Sequence, residues 1–301
     1  IENVDEETAF LEKLSTVKAD LQANMAIEAI YNRLPTDAKT LLHRLPAFHE
    51  PVPMEGLLKL AHDLPNPESL LERLLAVSLL EASYEPHWKV NEYQCPQMVV
   101  DWMRGKGLVD DDHEWLNVVA DYHLYLHGNE RKTLEQAIKT HHALLRAERS
   151  NEADKLTLDY LVRPMRLAGF YNTLLNEWLP PICQSQDLQI QAVALNQIGN
   201  LNYYIGNYED TLPYYEQSLS IRRKFDDKAG VGHLLNNIGN TYQELGDYEK
   251  AVNYLKQSLT IRRQIGDKEG EGKTLNNIGN AFQKQGDYES ALNYLKQSLV
   301  I

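Results

Sequence analysis

Cysteine is scarce in this sequence: Cys95 and Cys183 are the only two in 301 residues, and they stand far apart in no metal or redox spacing. Two lone thiols in a chain of this size fit a reducing compartment, for which the cytoplasm is the default. Long apolar runs are missing too. No stretch of about 18 uncharged apolar residues occurs, so no membrane-spanning helix is expected. No secretory leader is expected, because IENVDEETAF opens acidic where a positive segment would be required. Basic residues are in deficit: 30 Lys and Arg against 43 Asp and Glu give a formal charge of −13. Sequence-independent affinity for nucleic acid comes from neutralising phosphates with Lys and Arg, so that partner class is not expected. The chain holds no Walker motif, no HExxH, no nucleophile-elbow serine and no Cys/His dyad. No catalytic, cofactor-binding or metal-binding residue is therefore predicted.

What is present is ordinary in amount, with 43% apolar residues, and repetitive in pattern. LNQIGN begins at Leu195, and LNNIGN begins at Leu235 and again at Leu275, a period of 40 residues. Gly206, Gly246 and Gly286 recur in the same register, as do Tyr208, Tyr248 and Tyr288, followed by QSLSIRR, QSLTIRR and QSLVI. Within one copy, Leu235, Ile238 and Tyr242 form one apolar stripe on a first helix, helix A. Gly239 lies on that stripe and leaves room for a neighbouring helix. Gly246-Asp247 makes the turn, because glycine accepts the left-handed cap conformation. Tyr248, Ala251, Tyr254, Leu255 and Leu259 carry the stripe of helix B, and Arg262 and Arg263 suit the negative end of its dipole. One hairpin cannot bury such a stripe alone, so the copies must stack into a solenoid. The chain begins with Ile and ends at Ile301 inside a helical pattern. A fragment of a larger protein is expected, with the array continuing beyond it.

These residues resemble the tetratricopeptide family in its 40-residue form, similar to repeats of kinesin light chains, spindle-orienting adaptors and bacterial signalling ATPases. The resemblance covers about 191–301. It implies a groove lined by helix A: Asn196, Asn200, Tyr203 and Tyr204 in the first copy, then Asn236, Asn240, Gln243 and Glu244, then Asn276, Asn280, Gln283 and Lys284. Asn at i and i+4 shares a helical face, so six amides form a double ladder. A carboxamide both donates and accepts, which suits the backbone of an extended peptide. The alternative role is for the same amides to bridge adjacent repeats. A chaperone-type carboxylate clamp would need Lys or Arg at several of these sites and is not expected.

Residues 1–22 read as a linker from an upstream region. Over 23–105 the pattern changes. MAIEAIYNRLP is a short helix, and Thr36-Asp37 is expected to cap AKTLLHRLPAF. MEGLLKLAHDL follows Pro51 and Pro53, and NPESLLERLLAVSL has Asn66 as cap and Pro67 at the first helical position. LLEASY and WKVNEYQC flank Glu85-Pro86-His87 as a β-hairpin, and PQMVVDWMRGKG closes as a helix. The expected fold class is mainly α: a winged-helix module with a small β-hairpin, then an α-α superhelix. The helix that would read DNA carries Glu68, Glu72 and Arg73 among leucines, which cannot grip phosphates.

LPTDAKTLLHRLPAF, LLERLLAVSLLEAS and EYQCPQMVVDWM resemble the winged helix of STAND-class signalling ATPases. That resemblance implies a module packed against an upstream nucleotide-binding core, with ADP or ATP bound by that core and none in this segment. The histidine that many members use to reach the nucleotide phosphate is not found at Cys95, Pro96 or Gln97. Residues 106–190 read as degenerate hairpins turning at Gly128 and Gly169, with Pro164 kinking one helix, similar to the helical arm of the same class. Domain order then favours a sensor that binds a protein or peptide inducer. A plain repeat adaptor is the alternative, and a winged-helix transcription factor the third reading.

Two decoys are set aside. GDKEGEGKT at 266–274 has Asp267 where a P-loop needs glycine, and it joins two helices. His123 and His127 share a helical face but lack a third ligand, so they are expected to be partly exposed structural residues beside Tyr122 and Tyr125. Asp110-Asp111-Asp112 reads as a solvated helix N-terminus.

Overall fold

The computed structural model describes residues 18–301. It is mainly α-helical with one small sheet, and it divides into two compact units, the first ending at Glu148 and the second beginning at Arg149. That division falls inside the segment 106–190. The linker expected over 1–22 lies mostly outside the described residues, and positions 18–22 open the first helix.

The first unit runs α1 (18–32), α2 (Thr36–Arg44), the short strand β1 (Val52–Pro53), α3 (Met54–Leu60) and α4 (Pro67–Ala76). The hairpin strands β2 (Glu81–Glu85) and β3 (Val90–Gln94) follow, then α5 (Gln97–Gly105), α6 (His113–Tyr125) and α7 (Leu134–Arg146). The sheet is antiparallel in the order β1-β3-β2, with Tyr93 of β3 opposite both Val52 and Ala82. The sequence gives no sign of β1, since Pro51-Val52-Pro53 reads as a breaker. An edge strand tolerates proline, because one side of it needs no donors. Leu41 and Leu42 of α2, Leu57 and Leu60 of α3, and Leu71 and Leu74 of α4 are 0–1% exposed. Burying each such side chain contributes about 1.5–3 kcal/mol.

Two expected caps do not form. Thr36 is the first helical residue of α2 rather than its cap, and Asn66 precedes α4 at φ 49° without a side-chain cap bond. Pro67 fixes φ in the first turn of α4, so that start does not depend on a side-chain oxygen. The acidic run does more than face solvent. Asp112 Oδ1 accepts from the Glu114 N–H at 3.0 Å, and Asp110 accepts from Trp115 Nε1 at 3.0 Å.

Buried arginines here are each matched by a carboxylate, as desolvated charge requires. Arg44 donates to both oxygens of Asp63 at 2.6 and 3.0 Å and lies 3.8 Å from the Trp115 ring. Arg131 reaches Glu92 of β3 at 2.5 Å, tying the hairpin to the wide turn that follows α6. His123 and His127 are buried rather than partly exposed, at 6% and 7%. The cause is α7, which covers that face of α6 and puts Gln136 Nε2 3.0 Å from His123 Nδ1. Burial lowers the His123 pKa to about 4.

The second unit begins irregularly, with α8 (Ser150–Leu156), α9 (Val162–Leu167), α10 (Tyr171–Thr173) and α11 (Leu179–Ile182). π-Helical turns interrupt it at Thr157–Leu161 and Leu174–Trp178. The first lies directly before Pro164, whose missing N–H leaves the carbonyl of residue 160 without its helical donor. Three regular hairpins follow: α12 (Leu188–Tyr204) with α13 (Tyr208–Lys224), α14 (Lys228–Glu244) with α15 (Tyr248–Ile265), and α16 (Lys268–Gln285) with α17 (Tyr288–Val300). Gly206, Gly246 and Gly286 turn the chain at φ 87°, 81° and 89°. A Cβ added at Gly239 would stand 2.6 Å from Leu255 Cγ, so the close approach of α14 and α15 requires glycine there. GDKEGEGKT is a junction between helices, with Gly266 ending α15 and Lys268 opening α16. No described helix is long and apolar enough to cross a membrane.

Candidate partner-binding face

The residues expected to line a groove all lie on α12, α14 and α16, the A helices of the repeats. Each repeat is clasped to the next by an arginine from helix B. Arg222 reaches Asp227 at 2.5 Å, and Arg262 reaches Asp267 at 2.5 Å. These aspartates also cap the following A helix, accepting from the Gly230 and Gly270 N–H groups at 2.9 Å. The clasp fixes the spacing of the A helices and therefore of the amides they carry.

In the first junction, Tyr215 Oη donates to Asn200 Oδ1 at 2.8 Å, and Asn237 Nδ2 of the next repeat approaches the same oxygen at 3.4 Å. Burial raises the Tyr215 pKa, so the hydroxyl stays protonated as a donor. In the second junction Asn236 Oδ1 accepts from Asn277 Nδ2 at 3.1 Å and from Thr274 Oγ1 at 3.3 Å. Each junction thus satisfies one ladder oxygen. Asn196 Oδ1 in the first and Asn240 Oδ1 in the second are buried with no hydrogen-bond partner. The sequence supplies the reason. Forty residues before Thr274 stands Leu234, and forty after Tyr215 stands Leu255, neither of which can donate.

Bridging and lining are therefore divided among the predicted residues. Asn196 and Gln243 are 8% and 7% exposed, not open groove positions, and Gln243 Nε2 donates to the Asn277 carbonyl at 3.4 Å. The next A helix, stacked alongside, accounts for that burial of Gln243. Asn200, Asn236, Asn240 and Asn280 are half-buried, whereas Asn276 and Gln283 are exposed. Glu244 pairs with Lys284 at 3.2 Å. Tyr203 is half-buried against Tyr208 at 5.3 Å, and the exposed Tyr204 lies 4.5 Å under the Arg166 guanidinium. Asn237 and Asn277 are the bridging residues that the sequence reading passed over. Their signal was visible as the one difference between LNQIGN and LNNIGN: the changed position is the one that reaches back to the previous repeat. Chemically, this face can offer amide donors and acceptors beside aromatic rings.

The chain matches the tetratricopeptide repeat family over residues 190–264 and again over 273–301. No curated protein matches it. Among solved structures it is similar to a STAND protein with a tetratricopeptide repeat sensor from Pyrococcus horikoshii. The TM-score is 0.56 at 19% identity over 92% of this chain, which spans 46% of that protein's length. A Rap protein complexed with competence and sporulation factor gives a TM-score of 0.44 at 13% identity, over 92% of this chain and 76% of that one. BtubC from P. vanneervenii gives 0.38 at 16% identity, over 88% and 90%.

Proposed function

We propose that the second unit captures a protein or peptide partner along the amide-bearing face of α12, α14 and α16. The observation that carries this reading is the run of surface amides on Asn276, Asn280 and Gln283, whose side chains no neighbour among the described residues engages. Exposed carboxamides both donate and accept, as the backbone of an extended segment requires. The half-buried Asn236 and Asn200 would continue the row.

The same reading makes this chain the regulatory and sensor part of a STAND-type signal-transduction ATPase. The order α2, β1, α3, α4, β2, β3, α5 fits a winged helix, and its likeness in fold to the P. horikoshii protein supports the assignment. ADP or ATP would be held by a nucleotide-binding core contributed from outside residues 1–301, and the front unit would contact that core. The inducer can shift such a protein only by binding its open state more tightly than its closed one. A repeat adaptor without ATPase coupling accounts equally well for the amide face.

The test is the double variant N276A/Q283A. It removes exposed amides without touching the bridging ones, so capture of the cognate partner should fall while the melting temperature stays unchanged. Unchanged affinity would sink the groove reading. Coupling is tested separately, by whether the partner alters ADP release from the whole parent protein; no change leaves the adaptor.

A further inference from the structure

The irregular start of the second unit presents a feature that the repeats do not explain. Arg163 and Arg166 lie three residues apart on α9 and so share a face. Neither is paired with a carboxylate among the described residues, although Asp159 precedes Arg163 by four positions. Arg166 stacks on the exposed Tyr204 at 4.5 Å, which links α9 to the last turn of α12, where the amide row begins. Leu167 is 73% exposed and Phe170 51%, in the turn that follows. The equivalents of Tyr203 and Tyr204 in later repeats are Gln243 and Glu244, then Gln283 and Lys284, so these two positions are aromatic in the first repeat and polar in the next two.

We propose that Arg163, Arg166, Leu167, Phe170 and Tyr204 form a docking ledge for an acidic segment of a protein partner that also carries large apolar side chains. Two unpaired guanidiniums in a chain of formal charge −13 are complementary to carboxylates, which guanidinium binds through paired N–H donors. The exposed leucine and rings offer apolar area beside that charge. Free of a carboxylate, the Arg166 fork can hold a partner's acid while its plane stays on Tyr204. The proposal extends the groove reading by naming the chemistry of the partner at one end. It does not require the amide row to bind.

The probes are three fluorescently labelled peptides of equal length, in which Leu and Trp alternate with Glu, with Gln or with Lys, and an oligothymidylate. Binding to the whole chain is followed by anisotropy at low and high salt. The Glu peptide should bind best, should weaken with salt, and should lose roughly tenfold or more in R163Q/R166Q, as expected when desolvated charge pairs are broken. R163Q/R166Q lies on a partly exposed helix face, and its thermal melt is measured alongside; the salt series on the unaltered chain provides a readout free of any folding defect. Glu and Gln peptides binding alike, or a Glu peptide indifferent to both salt and the arginine variants, overturns the ledge. Preference for oligothymidylate overturns it in favour of a nucleic-acid surface. If N276A/Q283A leaves Glu-peptide binding intact while R163Q/R166Q abolishes it, the ledge stands whatever the cognate partner shows of the groove; the reverse result removes the ledge alone.

Discussion

The junction between the first and second repeats can be set beside the junction between the second and third. The clasps are the same, Arg222 to Asp227 and Arg262 to Asp267, both at 2.5 Å. Ser218 and Ser258 each donate back to helix A, to the Ala192 and Gly232 carbonyls at 2.7 and 2.6 Å. The polar contents nevertheless differ. Asn200 is satisfied in the first junction and Asn236 in the second, and Val231 in the first gives way to the buried carboxylate of Glu271 in the second. Positions that set geometry are repeated, because a solenoid accumulates any error in spacing. Positions that set polarity are free to vary, and there the two junctions become distinguishable surfaces.

The largest effect should come from breaking what only the second junction has. Glu271 is 6% exposed at its side chain and is held by Arg263 at 2.7 Å and Lys268 at 3.0 Å. R263M/K268M strands that carboxylate and should destabilise the chain by about 2–3 kcal/mol in urea unfolding, the partners' own exposure keeping the cost below that of a fully buried pair. E271V, which copies the first junction, should be near neutral. The hydrogen bond from Arg263, then that from Lys268, holds the Glu271 carboxyl below its ordinary value of 4.5. A lowered folded pKa gives stability that is present above the unfolded value and is lost as pH falls through the folded one. Unfolding midpoints measured from pH 6 downwards should therefore decline less steeply for E271V than for the unaltered chain. Parallel curves would remove Glu271 from the account.

The amides provide a second contrast. N236L removes an acceptor that two donors use and should cost about 1–2 kcal/mol, whereas N196L and N240L should each gain about 1 kcal/mol, because they replace an oxygen that nothing meets. Destabilisation by all three would show that Asn196 and Asn240 are satisfied in solution. Leu255 can also be exchanged for the tyrosine of the first repeat. Gly239 leaves the same space beneath it that Gly199 leaves beneath Tyr215, so L255Y should reach Asn240 and stabilise by up to about 1 kcal/mol, while Y215F should lose about as much.

How much could be read from the sequence follows the same division. The period, the turn glycines and the close approach at Gly239 were legible, because each is a steric demand that one residue type meets. The hairpin was legible from alternation around Glu85-Pro86-His87. β1 was not, being two residues between prolines and made a strand only by its partner Tyr93. The caps at Thr36 and Asn66 were predicted and do not form. The burial of His123 depends on α7, which begins nine residues beyond the end of α6, and no local pattern announces it. At the candidate face the identities were right in kind, but their roles were not separable. Whether Asn236 lines or bridges depends on Thr274 and Asn277, 38 and 41 residues away.

The smallest effect tests whether surface charge adds to the difference between the junctions. Lys284 and Glu244 pair at 3.2 Å across the second junction, with side chains 45% and 37% exposed. The equivalent of Glu244 one repeat earlier is Tyr204, so the first junction has no such pair. An exposed pair gains little, because water screens it and two long side chains must be held still, so K284A should shift stability by only about 0.2–1 kcal/mol. That small loss should vanish in 0.5 M salt, since roughly half-molar salt screens exposed charges beyond a few ångströms. The loss at Glu271 should persist there, because a desolvated carboxylate is shielded from mobile ions. Equal salt sensitivity at the two sites would mean that the second junction is open to solvent throughout, and its buried amide and carboxylate would then be no different in kind from the surface pair.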